Sequence, residues 1–357
     1  MYKIHLLPAE YGDAILVEWG EKKPCYMLID GGPYFGFDAF AKAIFDVAPD
    51  LKEIDLLVIT HIDTDHIDGI VTLLNHDEQP FVIKDIWFNG YKQLQEVSKF
   101  LGPVQGEYIT KLIEKKGLPH NKSFDGSPVY VNDFANLPHI KLAGGMKLML
   151  LGPGVKALQR LEKEWIKKLE EMGKDVDIQK ELDEDHRYKP TSPWLGDDMT
   201  VKELQEKKVT PDKSAANGSS IAFVATYKNK SCLFAGDLTT AGMLEAIEPI
   251  LAENGNERFT VDAWKLSHHG SKKSTMETLM EKIDCKQLLV SSNGKYHEHP
   301  DGECIAKLLK NNGPDLAFYF NYKTSFTEWW DDEKLKETYG YETHFPEGEG
   351  GITLSLL

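Results

Sequence analysis

Short apolar runs separated by Gly, Pro and Asp open the chain: Tyr2 to Leu7, Asp13 to Trp19 and Cys25 to Ile29. Runs of this length between turn formers predict strands. A helical pattern follows from Phe37 to Ala48, and Ile54 to Thr60 returns to strand. From Tyr91 to about Gly117, three-and-four spacing of Leu94, Val97 and Leu101, then Tyr108, Ile109, Leu112 and Ile113, predicts helix. Lys147 to Leu151 predicts a strand closed by Gly152-Pro153. Lys156 to Met172 then sets Leu158, Leu161, Trp165 and Leu169 on one stripe, the pattern of a helix laid on a core, with Gly173 as its stop.

The second half repeats this rhythm. Strands are predicted at Ser220 to Tyr227, Ser231 to Ala235, Ala263 to Leu266, Gln287 to Ser291, Leu316 to Asn321 and Ile352 to Leu356. Helices are predicted at Ala241 to Glu253, Met276 to Ile283 and Gly302 to Lys310. Two sheets with helices on each outer face satisfy that order, because each sheet then buries both faces. Between Lys174 and Ala216 the chain turns charged and aperiodic, with Pro190, Pro193, Pro211 and an acidic stretch from Glu181 to Asp185, so an inserted loop or flap is expected there. The whole chain, 1–357, is read as one domain with insertions at 90–140 and 174–216.

Composition narrows the class. With 357 residues, 41% of them hydrophobic, the chain can bury a large core. The 41 Lys and Arg against 57 Asp and Glu leave −16, which argues against a surface built to grip a nucleic-acid backbone. No run approaches the ~20 apolar residues that span a bilayer, and the first residues lack the pattern of a signal peptide. A soluble, cytoplasmic protein without membrane contact is the expectation. Cys25, Cys232, Cys285 and Cys304 are far apart and form no CxxC pair, so they are read as structural thiols.

Candidate chemistry sits at the ends of the predicted strands. His61-Ile-Asp-Thr-Asp-His66 directly follows an apolar run, packing four side chains that favour Zn, Mn or Fe onto one sheet edge. Asp30-Gly31-Gly32-Pro33, Leu233 to Asp237, Lys265 to Ser271 and Asn293 to Pro300 each put polar residues on the lip of a strand in the same way. His5, His76, His120, His139 and His186 fall outside these clusters and are read as ordinary histidines, although His120 could reach the cleft. Trp329-Trp330 and Phe318 to Tyr322 are read as core or rim aromatics. No phosphate-cradling P-loop is present.

Taken in order, Tyr11-Gly12-Asp13, Asp30-Gly31-Gly32, His61 to Gly69, Asn217 to Ser220, Ala235-Gly236-Asp237, His268-His269-Gly270-Ser271 and His299-Pro300 resemble the metallo-β-lactamase superfamily. The likeness is strongest to the branch containing the hydrolase domain of competence DNA-uptake channel proteins. It implies an α/β fold, a four-layer αββα sandwich, with one or two divalent metals at one end of the sheets, where a bridging water attacks an ester, amide or phosphodiester. By position, the resemblance gives the first metal His61 and Asp63, the second Asp65 and His66, and makes Asp237 the bridge. His269 is the chosen ligand from the double-histidine turn, and His268 the substrate-binding or acid/base residue, an order that could be reversed. Asp65 doubles as proton acceptor, Lys295 and His297 are candidates for binding substrate, and Asn217, Asp30 and His299 are weak ligands or supports.

Two departures from the family pattern matter. Asp63 stands where the middle histidine of HxHxDH is usual, and Asn217 where a further histidine is expected, so one metal is expected to bind weakly or not at all. Zn is the first expectation, with Mn or Fe favoured by the oxygen-rich set. The leading function is a metal-dependent hydrolase of phosphodiester or related phosphate-ester bonds in a small-molecule or nucleotide-like substrate. A nuclease acting on DNA or RNA is the alternative, disfavoured by the charge. A degenerate, non-catalytic binding module of the same fold is the other.

Overall fold

The computed structural model describes residues 1–90, 104–172 and 200–357. Two sheets carry the architecture. The first joins β1 (Tyr2–Leu6), β2 (Ile15–Trp19), β3 (Cys25–Ile29), β4 (Leu56–Val58), β5 (Ile86–Trp87) and the last strand, β14 (Ile352–Ser355), in the order β14-β1-β2-β3-β4-β5. The second runs from β6 (His139–Lys141), β7 (Lys147–Gly152), β8 (Ala222–Tyr227) and β9 (Lys230–Phe234) to β10 (Ala263–Lys265), β11 (Gln287–Val290), β12 (Leu316–Phe320) and β13 (Tyr341–His344), each beside the next. Strands β3 to β5 are parallel, and so are β9 to β13.

Side-chain alternation along β2 shows why the layers form. Ile15, Val17 and Trp19 enter the core between the sheets, where they join Phe223, Phe234 and Leu289. Leu16 points the other way, into a core shared with Phe40 and Ile44 of α1 (Phe37–Val47), Ile70 and Leu74 of α2 (Thr64–Asn75) and Ile109 of α3 (Val104–Lys116). On the far side, Trp264 and Leu288 face Met243 and Ile247 of α5 (Thr240–Asn254) and Ile305 and Leu308 of α6 (Gly302–Asn312). The order of layers is helix, sheet, sheet, helix, as expected. Among the described residues, no helix is long and apolar enough to cross a membrane. All four cysteines are free thiols, and only Cys25 is not buried.

Differences from the sequence reading are local. The helix expected from Tyr91 is described only from Val104, and residues 91–103 and 173–199, with Gly173 and His186, lie outside the described residues. In α4 (Val155–Met172), Leu158 and Leu161 are buried as the stripe required, while the side chains of Trp165 and Leu169 lie outside the described residues. The described part of the expected loop is structured. Thr200 caps a helix over Val201–Glu206 through a capping box with Glu203, and buries Val201 and Leu204 in the outer core. Met276 to Ile283 is one helical turn, Glu277–Met280, followed by a short strand, because its apolar residues serve a tight corner.

Candidate metal centre

Parallel strands deliver their following loops to one sheet edge. β4 leads to His61, β9 to Asp237, β10 to His268 and His269, and β11 to the loop from Asn293 to Pro300. Asp63 is the N-cap of α2, yet its side chain makes no capping bond and stays 3.5 Å from His61 Nε2. Asp65 and His66 occupy the first turn of α2. That turn is clamped from behind: a Cβ on Gly12 would sit 1.8 Å from the Asp65 carbonyl oxygen, so only glycine allows the loop before β2 to press against it.

Asp237 is the centre of the cluster, and its two oxygens face different partners. Oδ1 lies 3.3 Å from His66 Nε2 and 3.9 Å from His269 Nε2. Oδ2 lies 3.8 Å from His61 Nε2 and 3.6 Å from His268 Nε2. Asp65 Oδ2 closes the first group, 3.2 Å from His269 Nε2 and 3.8 Å from His66 Nε2. Both histidines of the turn therefore reach the same carboxylate. They do so because His268 and His269 are consecutive left-handed residues, φ 51° and 55°.

The opposite ring nitrogens are held. His66 Nδ1 is 2.8 Å from Asp30 Oδ2, which also accepts from the Thr60 hydroxyl at 2.7 Å. His61 Nδ1 is 3.0 Å from that same hydroxyl. His269 Nδ1 donates to the Ser291 carbonyl oxygen at 2.9 Å and lies 3.2 Å from Asp13 Oδ1. His268 Nδ1 is 3.2 Å from Ser274 Oγ, 3.1 Å from the Asn217 amide and 3.7 Å from Asp212 Oδ2. With Nδ1 occupied in each ring, Nε2 is the nitrogen presented to the centre.

The residues present fit a cation. His61 Nε2, His66 Nε2 and Asp237 Oδ1 are buried without a hydrogen-bond partner, and buried polar atoms of this kind call for a ligand. His61, His66 and Asp237 bring ligand atoms within 4.8 Å of one another. Asp13, His66 and His269 also gather within that span, but Asp13 is committed to the buried Lys265 ammonium at 2.7 Å and to the back of His269. We read Asp13 as a support.

Charges reinforce one another. Burial works to raise Asp237, yet the rings of His268, His66 and His269 hold it well below the usual carboxylate range. Burial opposes protonation of His269, but Asp13 and Asp237 push it up to about 9. His66 and His268 are raised against burial by Asp237 in the same way. Asp68, buried beside the Asp65 charge, rises to about 7.

The other expected site residues are distributed around this centre. Asn217 is buried and donates to Asp212 Oδ2 at 2.6 Å. Asp30 stands behind His66 and Thr60. His299 is buried, its ring 5.2 Å from that of His268, and burial together with the neighbouring imidazoles holds its pKa well below the usual imidazole value. His297 is exposed at the rim, edge-on to Tyr296, which stacks on Tyr11 at 4.8 Å. Lys295 reaches out to Glu10 at 3.6 Å, away from the cluster. His120 stacks on Phe88. Lys265 was read only as the start of the cluster from Lys265 to Ser271, and Ser274 and Asp212 went unread; only the placement of Ser274 just beyond the double-histidine motif hinted at it.

Residues 7–94 match the family model described as the metallo-beta-lactamase superfamily. Over that stretch, about a quarter of the chain, the sequence is similar to the metallo-beta-lactamase superfamily. Of curated proteins, "ComE operon protein 3" of Bacillus subtilis (strain 168) is 29% identical over 122 residues, which is 33% of this chain and 15% of that protein. The chain thus spans a small part of that relative's length. Of solved structures, Zn(2+)-bound PqqB from Methylobacterium extorquens is 12% identical at TM-score 0.44, with 100% of both chains covered. CmlA, a diiron beta-hydroxylase from Streptomyces venezuelae, is 12% identical at TM-score 0.42 over 99% of this chain and 54% of its own. The metallo-beta-lactamase match begins in the loop after β1 and ends beyond β5, so it takes in Asp13, Asp30 and the whole His61 to His66 cluster.

Proposed function

We propose that this protein is a metal-dependent hydrolase acting on phosphodiester or related phosphate-ester bonds of a small-molecule or nucleotide-like substrate. The observation that carries this reading is the trio of buried, unpartnered atoms, His61 Nε2, His66 Nε2 and Asp237 Oδ1, where four imidazoles and three carboxylates converge. His61, Asp63 and Asp237 would hold one divalent ion, and Asp65, His66, His269 and Asp237 a second. Bound there, such ions bring a water's pKa towards neutrality and polarise the attacked phosphoryl oxygen, so neither Ser nor Cys is needed as nucleophile. Asp65 would accept the proton of the attacking water. Tyr11, Tyr296 and His297 form the rim on which the organic part of the substrate rests.

The test is turnover of bis(p-nitrophenyl) phosphate by protein reconstituted with Zn or Mn. Activity is expected to vanish with EDTA and to fall ~10²–10⁴-fold in Asp65→Ala, the range for losing a general base. Loaded protein that is inert on phosphodiesters, thioesters, lactones and lactams overturns the reading. The partial likeness to ComE operon protein 3 favours a second reading, a nuclease, against which the −16 charge weighs. Salt-sensitive binding of single-stranded DNA distinguishes it.

A further inference from the structure

We infer that His268 is a ligand of the first cation position, taking the place left by Asn217, and that Ser274 and Asp212 orient its ring. This rests on the reading of the cluster as a cation centre. The four Nε2 atoms divide evenly around Asp237: His66 and His269 on Oδ1, His61 and His268 on Oδ2. His268 and His61 therefore flank one position from two sides, and Asp63, 3.5 Å from His61 Nε2, adds a third.

The support behind His268 repeats the support behind His61. The Thr60 hydroxyl donates to Asp30 and offers its lone pair to His61 Nδ1. The Ser274 hydroxyl donates to Asp212 Oδ2 at 3.1 Å and offers its lone pair to His268 Nδ1. In each case the hydroxyl stands against Nδ1 and leaves Nε2 facing the cation position. Asn217 is meanwhile engaged in that support: its side-chain nitrogen donates to Asp212 Oδ2 at 2.6 Å and lies 3.1 Å from His268 Nδ1. The backbone agrees: an extended chain sends consecutive side chains to opposite faces, whereas the left-handed pair at 268 and 269 turns both imidazoles to one carboxylate. Both positions then have two imidazoles and two carboxylates, so the substitutions at 63 and 217 do not leave the first one short of ligands.

The experiment uses the full chain reconstituted with Zn. Metal analysis and anomalous diffraction at the zinc edge should find two ions, one about 2.0–2.1 Å from His268 Nε2, the usual Zn–N distance. His268→Ala should retain one ion, the one on His66 and His269. Asn217→Ala should keep two, and Asp212→Asn should bind the first ion about 10–100-fold more weakly, as loss of an outer partner does. Two ions with neither on His268, two retained in His268→Ala, or one lost in Asn217→Ala overturns the inference. The wild-type anomalous map decides even if the alanine variant does not fold. Wild-type protein that takes up no ion overturns the reading of the site itself.

Discussion

The two sides of Asp237 are alike in ligand type and unlike in what stands behind them. His66 and His269 meet Asp30 and Asp13 directly, and their side chains are fully enclosed. His61 meets Asp30 through the Thr60 hydroxyl, and His268 stands farther from its carboxylate, 3.7 Å from Asp212, with the Ser274 hydroxyl and the Asn217 amide at the same nitrogen. Solvent divides them further: Asp63 has 43% of its side chain exposed against 11% for Asp65, and His268 has 22% against none for His269. A carboxylate against the rear nitrogen makes an imidazole a stronger donor, and a dry surrounding makes the contact stiffer. On the proposed reading, the enclosed side would retain a cation, and the open side would exchange water and substrate.

The largest expected effect removes the comparison altogether. Asp237→Ala takes the shared carboxylate from both positions, and metal analysis should find neither ion, with phosphodiester turnover lost by at least ~10³-fold. Next comes a test of the supports. Asp13→Ala leaves the Lys265 ammonium, 1% exposed, without its partner, and should cost about 3–5 kcal/mol in urea unfolding. Asp212→Ala, on the open side, should cost about 1 kcal/mol; equal losses would break the contrast between the two sides. A smaller effect is the order of release. Graded chelator should remove the ion beside His61 at least about tenfold more readily than the ion beside His66, as followed by anomalous maps of half-loaded crystals. Smallest is Lys295→Ala: it loses only an exposed ion pair with Glu10, so stability should change by under ~1 kcal/mol and KM by less than about twofold.

Much of the ligand set was legible because four of its residues are neighbours in the chain. His61 to His66 announces a strand end and a helix start in six letters, and Asp30 follows a short apolar run that reads as a strand. The supports on the open side were not legible. Asp212 comes from a segment whose charge and prolines read as loop, and nothing local marks Ser274 as the partner of an imidazole. Lys265 pairs with Asp13 across 252 positions of sequence, so only the packing of the two sheets reveals it. Strands β5, β6 and β13 escaped for a different reason. They are short or polar edge and near-edge strands, held by hydrogen bonds to a neighbour and lacking a pattern of their own.

The left-handed pair at 268 and 269 bears on any attempt to transplant this centre. Non-glycine residues held in that region cost about 1–3 kcal/mol each, and the surrounding chain must supply the constraint that keeps them there. Copying the histidines and aspartates alone onto another sandwich would therefore reproduce the letters without the function. A recipient loop free to relax would extend, and its two imidazoles would part company.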